Sequence, residues 1–301
     1  MMAARRTKFT PRGEIRFDEP MSKHTSWRVG GPADQFFVPA DKQDLIEYIR
    51  ALEPATPVTW VGLGSNLLVR DAGIRGVVIA THKCLKQIEA VGSNRIYIES
   101  GVPGAKIARF GASRNLTGAE FFAGIPGTFG GALAMNAGAF GAETWDVVCK
   151  VETLDQSGKI QERSPMEFSI GYRSVSVSSG EWFLSGEILL RAGDGSRGRQ
   201  KIREFLARRA STQPVQVPNA GSVFRNPERD HAARLIESAG LKGTRQGGAT
   251  VSELHANFIV NSGNATAADI EALIDRVRRS VCHTHGIELE REVRIIGDAQ
   301  H

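Results

Sequence analysis

With 301 residues, 41% of them hydrophobic, and a net charge of +5, the chain has enough length and apolar content for two cored domains, so disorder is not the default expectation. No apolar run reaches the roughly 18–20 residues of a membrane span, and the odd, scattered set Cys84, Cys149 and Cys282 argues against a disulfide framework or a zinc site and suits a reducing cytoplasm. Lys and Arg are mixed with acids along the chain rather than gathered in a basic run with interleaved aromatics, so a small anionic ligand suits the charge as well as nucleic acid does.

Met1 to Arg12 carries Arg5 and Arg6 but no apolar stretch behind them, so it reads as a frayed basic tail and not as a secretory or twin-arginine signal. Leu45, Ile46, Ile49 and Leu52 at helical spacing after Asp41, a candidate N-cap, predict an amphipathic helix over Ala40–Leu52. Val58–Val61, Gly76–Ala80 and Ile96–Ser100 read as strands between glycine turns, and Ala105–Ser113 as a second helix. Val147–Leu154 and Lys159–Glu162 form a predicted hairpin around Ser157-Gly158. Arg191–Arg199 is nearly devoid of apolar residues and reads as an exposed linker at a domain boundary. Beyond it, helices over Gln200–Arg209, His231–Ala239 and Ala267–His283 alternate with strands over Ala256–Asn261 and Val293–Ile296, which predicts a smaller α+β domain.

Two stretches have the composition of a ligand cradle. Gly62, Gly64, Ser65, Asn66 and Leu67 follow an apolar strand in one turn, where glycines let backbone N–H groups converge on a phosphate and Ser and Asn add donors. The spacing is not that of a dinucleotide fingerprint, and Leu67-Leu68-Val69 continues as a strand, so a Rossmann site is disfavoured; a tight hairpin without a ligand remains the alternative. Gly124–Gly141 combines glycines with Ile, Leu, Met and Phe and carries no charge, so it reads as buried backbone lying close to something. A large flat cofactor explains that combination, and so does a glycine-kinked helix or sheet edge packed on protein.

The remaining candidates are dispersed. Tyr172-Arg173-Ser174, the polar turn Pro218–Pro227 and the segment Glu290–Gly297 hold Arg173, Ser222 and Glu292, each of which spacing alone would explain as a salt-bridged or capping residue. Lys242, Arg245 and His255 suit either an anion or a solvated face. Cys282, His283 and His285 would point in different directions from a helix end, so no metal is expected.

Taken in order, His24–Ala33, Gly62–Leu68, Ile125–Gly141, Tyr172-Arg173-Ser174, Gly221–Pro227, Gly247-Gly248-Ala249 with His255–Phe258, and Glu292-Val293-Arg294 resemble the UDP-N-acetylenolpyruvoylglucosamine reductase family over nearly the whole chain. The short interval between Arg173 and the Pro218 turn resembles the shorter type, without a substrate-capping insertion. Phe140 replaces the family's usual Tyr, and Arg225 its usual Lys. The resemblance implies an α+β architecture: a bilobed FAD-binding domain of the vanillyl-alcohol oxidase (PCMH) type over 24–192, after a lead-in over 1–23, and a smaller substrate-binding domain over 200–301.

It also implies site roles. FAD would be held by Gly62, Gly64, Ser65, Asn66, Leu67, Gly127, Thr128, Gly130, Gly131, Asn136, Gly138 and Arg294. NADPH would deliver the electrons, and UDP-N-acetylglucosamine enolpyruvate would be the substrate, contacted by Tyr172, Arg225, Asn226, Lys242 and His255. Arg173 would bind the substrate carboxylate through its planar fork, Glu292 would act as a neutral acid, and Ser222 would give a proton to the carbanion. A cytoplasmic monomer without nucleic-acid or membrane partners is expected. Another flavin oxidase of this fold, or a basic nucleic-acid or nucleotide-binding module without catalysis, are the competing readings.

Overall fold

Phe36 and Phe37 are adjacent in sequence but buried in different cores, because successive side chains of a strand point to opposite faces. The computed structural model, which describes residues 9–298, places them in a sheet ordered Glu14–Pro20, Pro32–Val38, Ile74–Ala80, Val58–Val61. The first pair is antiparallel and the others are parallel. Val77 and Ile79 join Phe37 under helix α1 (Lys42–Ala51), while Val78 and Ala80 join Phe36 on the far face. Helix α1 starts at its predicted cap, where the Asp41 carboxylate accepts the Asp44 N–H at 2.9 Å. The tail reading is corrected for the residues described: Phe9 packs on this core, and the Arg12 N–H donates to Asp44 at 2.9 Å. Residues 1–8 of that expected tail lie outside the described residues.

A second lobe is built on a five-stranded antiparallel sheet ordered Ile160–Arg163, Val148–Asp155, Glu181–Leu189, Arg95–Glu99, Ile88–Val91. The predicted hairpin is there, with Ser157 and Lys159 donating backbone N–H groups to the Asp155 carboxylate. Helices α2 (Gly104–Ser113), α3 (Phe129–Met135) and α4 (Gly195–Thr212) supply Ile107, Phe129, Leu133 and Ile202 to its core. The expected linker is therefore wrong in part: Asp194 caps α4, and Gly195 and Gly198 are buried. Those glycines let α4 approach α2, since a Cβ on Gly195 would collide with the Ala112 carbonyl and one on Gly198 would sit 3.2 Å from the Ala112 Cβ. Composition alone could not distinguish this close packing from a flexible joint.

Helices α5 (Ala232–Ser238) and α6 (Ala267–His285) pack on a three-stranded antiparallel sheet of Arg245–Gln246, Ala249–Val251 and Ile259–Asn261. Strand pairing and a buried indole are among the contacts that join this unit to the first lobe. Arg294–Ile296 runs parallel to Leu67–Val69, and Trp27, fully buried in the C-terminal core, donates its indole N–H to the Ile259 carbonyl at 2.8 Å. Among the described residues no helix is long and apolar enough to cross a membrane.

Candidate active site

The parallel pairing of Leu67 with Arg294 brings the front turn and the C-terminal strand side by side, and a groove opens between them. One compartment of about 430 Å³ is lined by Trp60, Gly62, Ser100, Thr128, Gly131 and Arg294, and a second of about 160 Å³ continues past Gly64, Ser65, Asn66 and Gly127. In that turn the N–H groups of Leu63, Gly64, Ser65 and Asn66 donate to no acceptor among the described residues. Converging free amides form an anion nest. Deeper in the groove wall, Ser100 Oγ and Trp60 Nε1 are buried without a partner among the described residues. This donor set, with no carboxylate beside it in the second compartment, fits the phosphates and polar edge of a flavin nucleotide.

The glycines divide into two kinds. Gly127 and Gly131 meet side-chain hydroxyls and no backbone: a Cβ on Gly127 would press on Ser65 Oγ at 3.1 Å, and one on Gly131 would touch Thr128 Oγ1 at 3.7 Å. Gly130, by contrast, allows α3 to pack on Ser100, whose Cβ would lie 2.7 Å away, and Gly62 leaves room for Thr128. The Gly124–Gly141 stretch thus serves both alternatives, groove wall and close packing, and seven of its residues form α3 with Thr128 as N-cap. Gly64 has φ +62° and its Cβ would strike the His24 carbonyl oxygen, so no side chain fits. Gly64→Ala is expected to purify with much of its flavin missing and with a Tm lowered by several degrees, as strain of about 1–3 kcal/mol requires. Full flavin content and parental Tm would show that the turn tolerates a side chain.

The groove runs on into a cleft of about 280 Å³ that shares Ser65, Asn66, Ile125, Met135 and Ala137 with the second compartment. Arg173, Ser222 and Glu292 all line it, with Tyr172, Gly138 and Asn226. Ser222 and Glu292 meet because 223–225 and 290–292 pair as a short antiparallel ladder: Glu292 N–H donates to Val223 O at 2.8 Å and Arg225 N–H to Glu290 O at 2.9 Å. Asn257 locks that ladder through both edges of Phe224, accepting its N–H at 3.0 Å and donating to its carbonyl at 2.8 Å. The hydroxyl of Ser222, between the anchored Gly221 and Phe224, has no hydrogen-bond partner among the described residues.

Arg173 comes from the tip of a two-residue hairpin turn, with φ +53°, a conformation that costs a side-chain-bearing residue on the order of 1 kcal/mol. Its guanidinium holds it there. Nη1 donates to Asn136 O and Glu143 Oε1, both at 3.3 Å, Nη2 donates to Gly138 O at 2.9 Å, and Nε lies 3.4 Å from Glu292 Oε1. Three of the five guanidinium hydrogens are donated in these hydrogen bonds, which leaves the Nε–H turned toward Glu292 and one hydrogen on Nη2 for a ligand carboxylate. Burial raises the pKa of Glu292 above the ordinary carboxyl value, against the opposing pull of Arg173 and Arg225.

The other sequence candidates fall into distinct places. Asn136 does not offer its amide to the groove: it is the left-handed C-cap of α3, donating to Glu143 at 2.7 Å and Gly171 at 3.1 Å and accepting from Trp145 N–H at 3.1 Å. The Asn66 amide likewise donates to the Glu292 carbonyl at 3.1 Å, tying turn to acid. Arg225 donates to Arg173 O at 3.0 Å and keeps a buried Nε–H that has no partner among the described residues. Lys242 is paired with Glu237 at 2.7 Å, and His255, whose pKa burial lowers, accepts from Asn257 N–H at 3.3 Å; neither lines the cleft. Phe140 stacks on Phe205 of α4 at 4.0 Å, so ring packing positions it without a hydroxyl. Glu143, Asn257, Arg209 of α4 and its C-cap Gln213 are site residues that sequence reasoning missed.

Two family models match, the FAD binding domain over residues 33–164 and the UDP-N-acetylenolpyruvoylglucosamine reductase C-terminal domain over residues 213–296. A UDP-N-acetylenolpyruvoylglucosamine reductase of Methylococcus capsulatus is 57% identical, covering 99% of this chain and 98% of that protein, and one of Alkalilimnicola ehrlichii is 52% identical over all of both chains. The crystal structure of UDP-N-acetylenolpyruvylglucosamine reductase from Thermus caldophilus superposes with a TM-score of 0.79 at 29% identity, covering 95% of this chain and 99% of that one. With a bilobed FAD-binding unit in front and the matching C-terminal unit behind, this chain belongs to the UDP-N-acetylenolpyruvoylglucosamine reductase family.

Proposed function

We propose that this chain reduces UDP-N-acetylglucosamine enolpyruvate to UDP-N-acetylmuramate with electrons from NADPH, a step of peptidoglycan precursor synthesis. The observation that carries the reading is the convergence of Arg173, Ser222 and Glu292, from three remote segments, on one cleft continuous with a groove of free amides. Bound FAD, held by the 62–67 turn, Gly127, Gly131 and Arg294, supplies the two-electron relay between NADPH and the enolpyruvyl double bond.

The side chains do the rest. Reduction at the terminal carbon builds negative charge on its neighbour and the attached carboxylate. The free Nη2 hydrogen of Arg173 and the proton of neutral Glu292 stabilise that charge, because an ionised Glu292 would oppose it. Ser222 Oγ–H, which no acceptor among the described residues competes for, then protonates the carbanion. Tyr172 and Asn226, which line the cleft, and Arg225 beside Arg173 contact the sugar nucleotide in this reading; Lys242 and His255 lie beyond the lining and would reach only its distal part. The need for NADPH and a nucleotide sugar supports a cytoplasmic setting, and we take the chain to act as a monomer. We also place the domain boundary after α4, since Ile202 packs in the core of the second lobe.

The test is a visible spectrum under anaerobic conditions. NADPH is expected to bleach the yellow protein, and the enolpyruvyl sugar nucleotide to restore the colour. Recovery with oxygen but not with that substrate would replace the reading with an oxidase.

A further inference from the structure

We infer that Glu143 is a positioning residue that keeps Arg173 in its strained turn and, by carrying a negative charge against the guanidinium, leaves Glu292 free to remain protonated. The inference deepens the proposed reaction and rests on it.

The geometry is a line of charges: Glu143, then Arg173, then Glu292, with Arg173 reaching one acid through Nη1 at 3.3 Å and the other through Nε at 3.4 Å. Glu143 is fixed from three directions. It faces Gly138 across the short antiparallel pair Gly138–Ala139 and Ala142–Glu143, it accepts from Asn136 Nδ2 at 2.7 Å, and it forms a capping box with Asp146. Asn136 and Gly138, the residues flanking that carboxylate, also give Arg173 its carbonyl acceptors. One small structure, 136–143, therefore sets both where the guanidinium lies and how much of its charge is already compensated.

The charges that act on Glu292 are Arg173 from the hairpin and Arg225 from the paired ladder; each of these arginines is itself paired with an acid, Glu143 and Glu290 respectively, and Arg209 of α4 lines the same cleft. Both arginines favour the ionised carboxyl, and burial opposes them. Glu290 is exposed, so solvent screens its effect. Glu143 is the better shielded of the two counter-charges, with a side chain 32% exposed against 75%. An uncompensated Arg173 would draw Glu292 into the ionised form that the chemistry cannot use.

The experiment compares Glu143→Gln with Glu143→Asp in the flavin-loaded enzyme. Glu143→Gln is expected to move the alkaline limb of the kcat profile toward acid by about one pH unit, a roughly tenfold loss on that limb. Glu143→Asp, which keeps the charge, should leave the limb in place even if kcat falls. Carbon NMR of the glutamate carboxyls, with the Glu292 signal identified by its absence in Glu292→Gln, reads the same shift without turnover. Superimposable profiles and titrations in all three proteins, or equal shifts in both variants, would overturn the inference. A parent enzyme inactive on the enolpyruvyl substrate would instead overturn the proposed function.

Discussion

Ser222→Ala is expected to split the reaction in two. NADPH should still bleach the variant at the parental rate, because nothing in the groove around Gly62–Asn66 or Gly131 changes. Return of the electrons to the enolpyruvyl substrate should slow by about 10²–10⁴-fold, the usual contribution of a positioned proton donor. Structural damage cannot mimic this pattern easily. Ser222 makes no side-chain bond that holds the fold; the ladder around it is held by backbone bonds and by the two contacts of Asn257 to Phe224. The variant should therefore melt with the parent. Stopped-flow measurement of each half-reaction decides the matter: normal reoxidation by substrate removes Ser222 from the role, and equal slowing of both halves points to a displaced cofactor.

What the sequence made legible, and what it hid, follows from the range of the interactions involved. Helix α1 could be read because its signals are local: Asp41 caps it, and Leu45, Ile46 and Ile49 repeat on one face. The strand Val58–Val61 was bounded by turn residues and found as predicted. Strand Glu181–Leu189 was not found, since it lies inside the five-stranded sheet with both faces covered and shows no alternation, and its buried Glu181 and Glu187 disguise it further. Those acids are compensated from far away, Glu181 by Arg163 at 2.9 Å and Glu187 by Lys150 at 3.0 Å. The same limit applies to the cleft. Arg173, Ser222 and Glu292 could be named only through family resemblance, because what unites them is the 223–225 and 290–292 pairing and a hairpin turn, none of which leaves a spacing in the chain. Asn136, which the resemblance assigns to the cofactor, has its amide donors engaged in fixing the platform beneath Arg173, a long-range role that no local pattern announces.

Glu292→Gln separates catalysis from stability and should move them in opposite directions. Burial holds the Glu292 pKa above its ordinary value of 4.5, so between that value and the raised one the folded protein binds a proton that the unfolded chain has released. The stability this group contributes is then complete below the ordinary carboxyl pKa and is lost as pH rises through the folded one. Glutamine carries no such dependence. The variant should melt at or above the parental temperature at neutral and alkaline pH, with the difference narrowing in acid. Its kcat for the enolpyruvyl substrate should drop by at least about 10²-fold, because an amide is a far weaker proton donor than a carboxylic acid to a developing negative charge. The parent's activity should also decline as pH rises through the folded pKa, when the proton that Glu292 contributes is released, and that limb should be missing from the residual activity of the variant. Thermal melts and kcat measured across the same pH series test both halves. A variant that retains the alkaline limb assigns that limb to another group, and one that retains full activity removes Glu292 from the chemistry altogether.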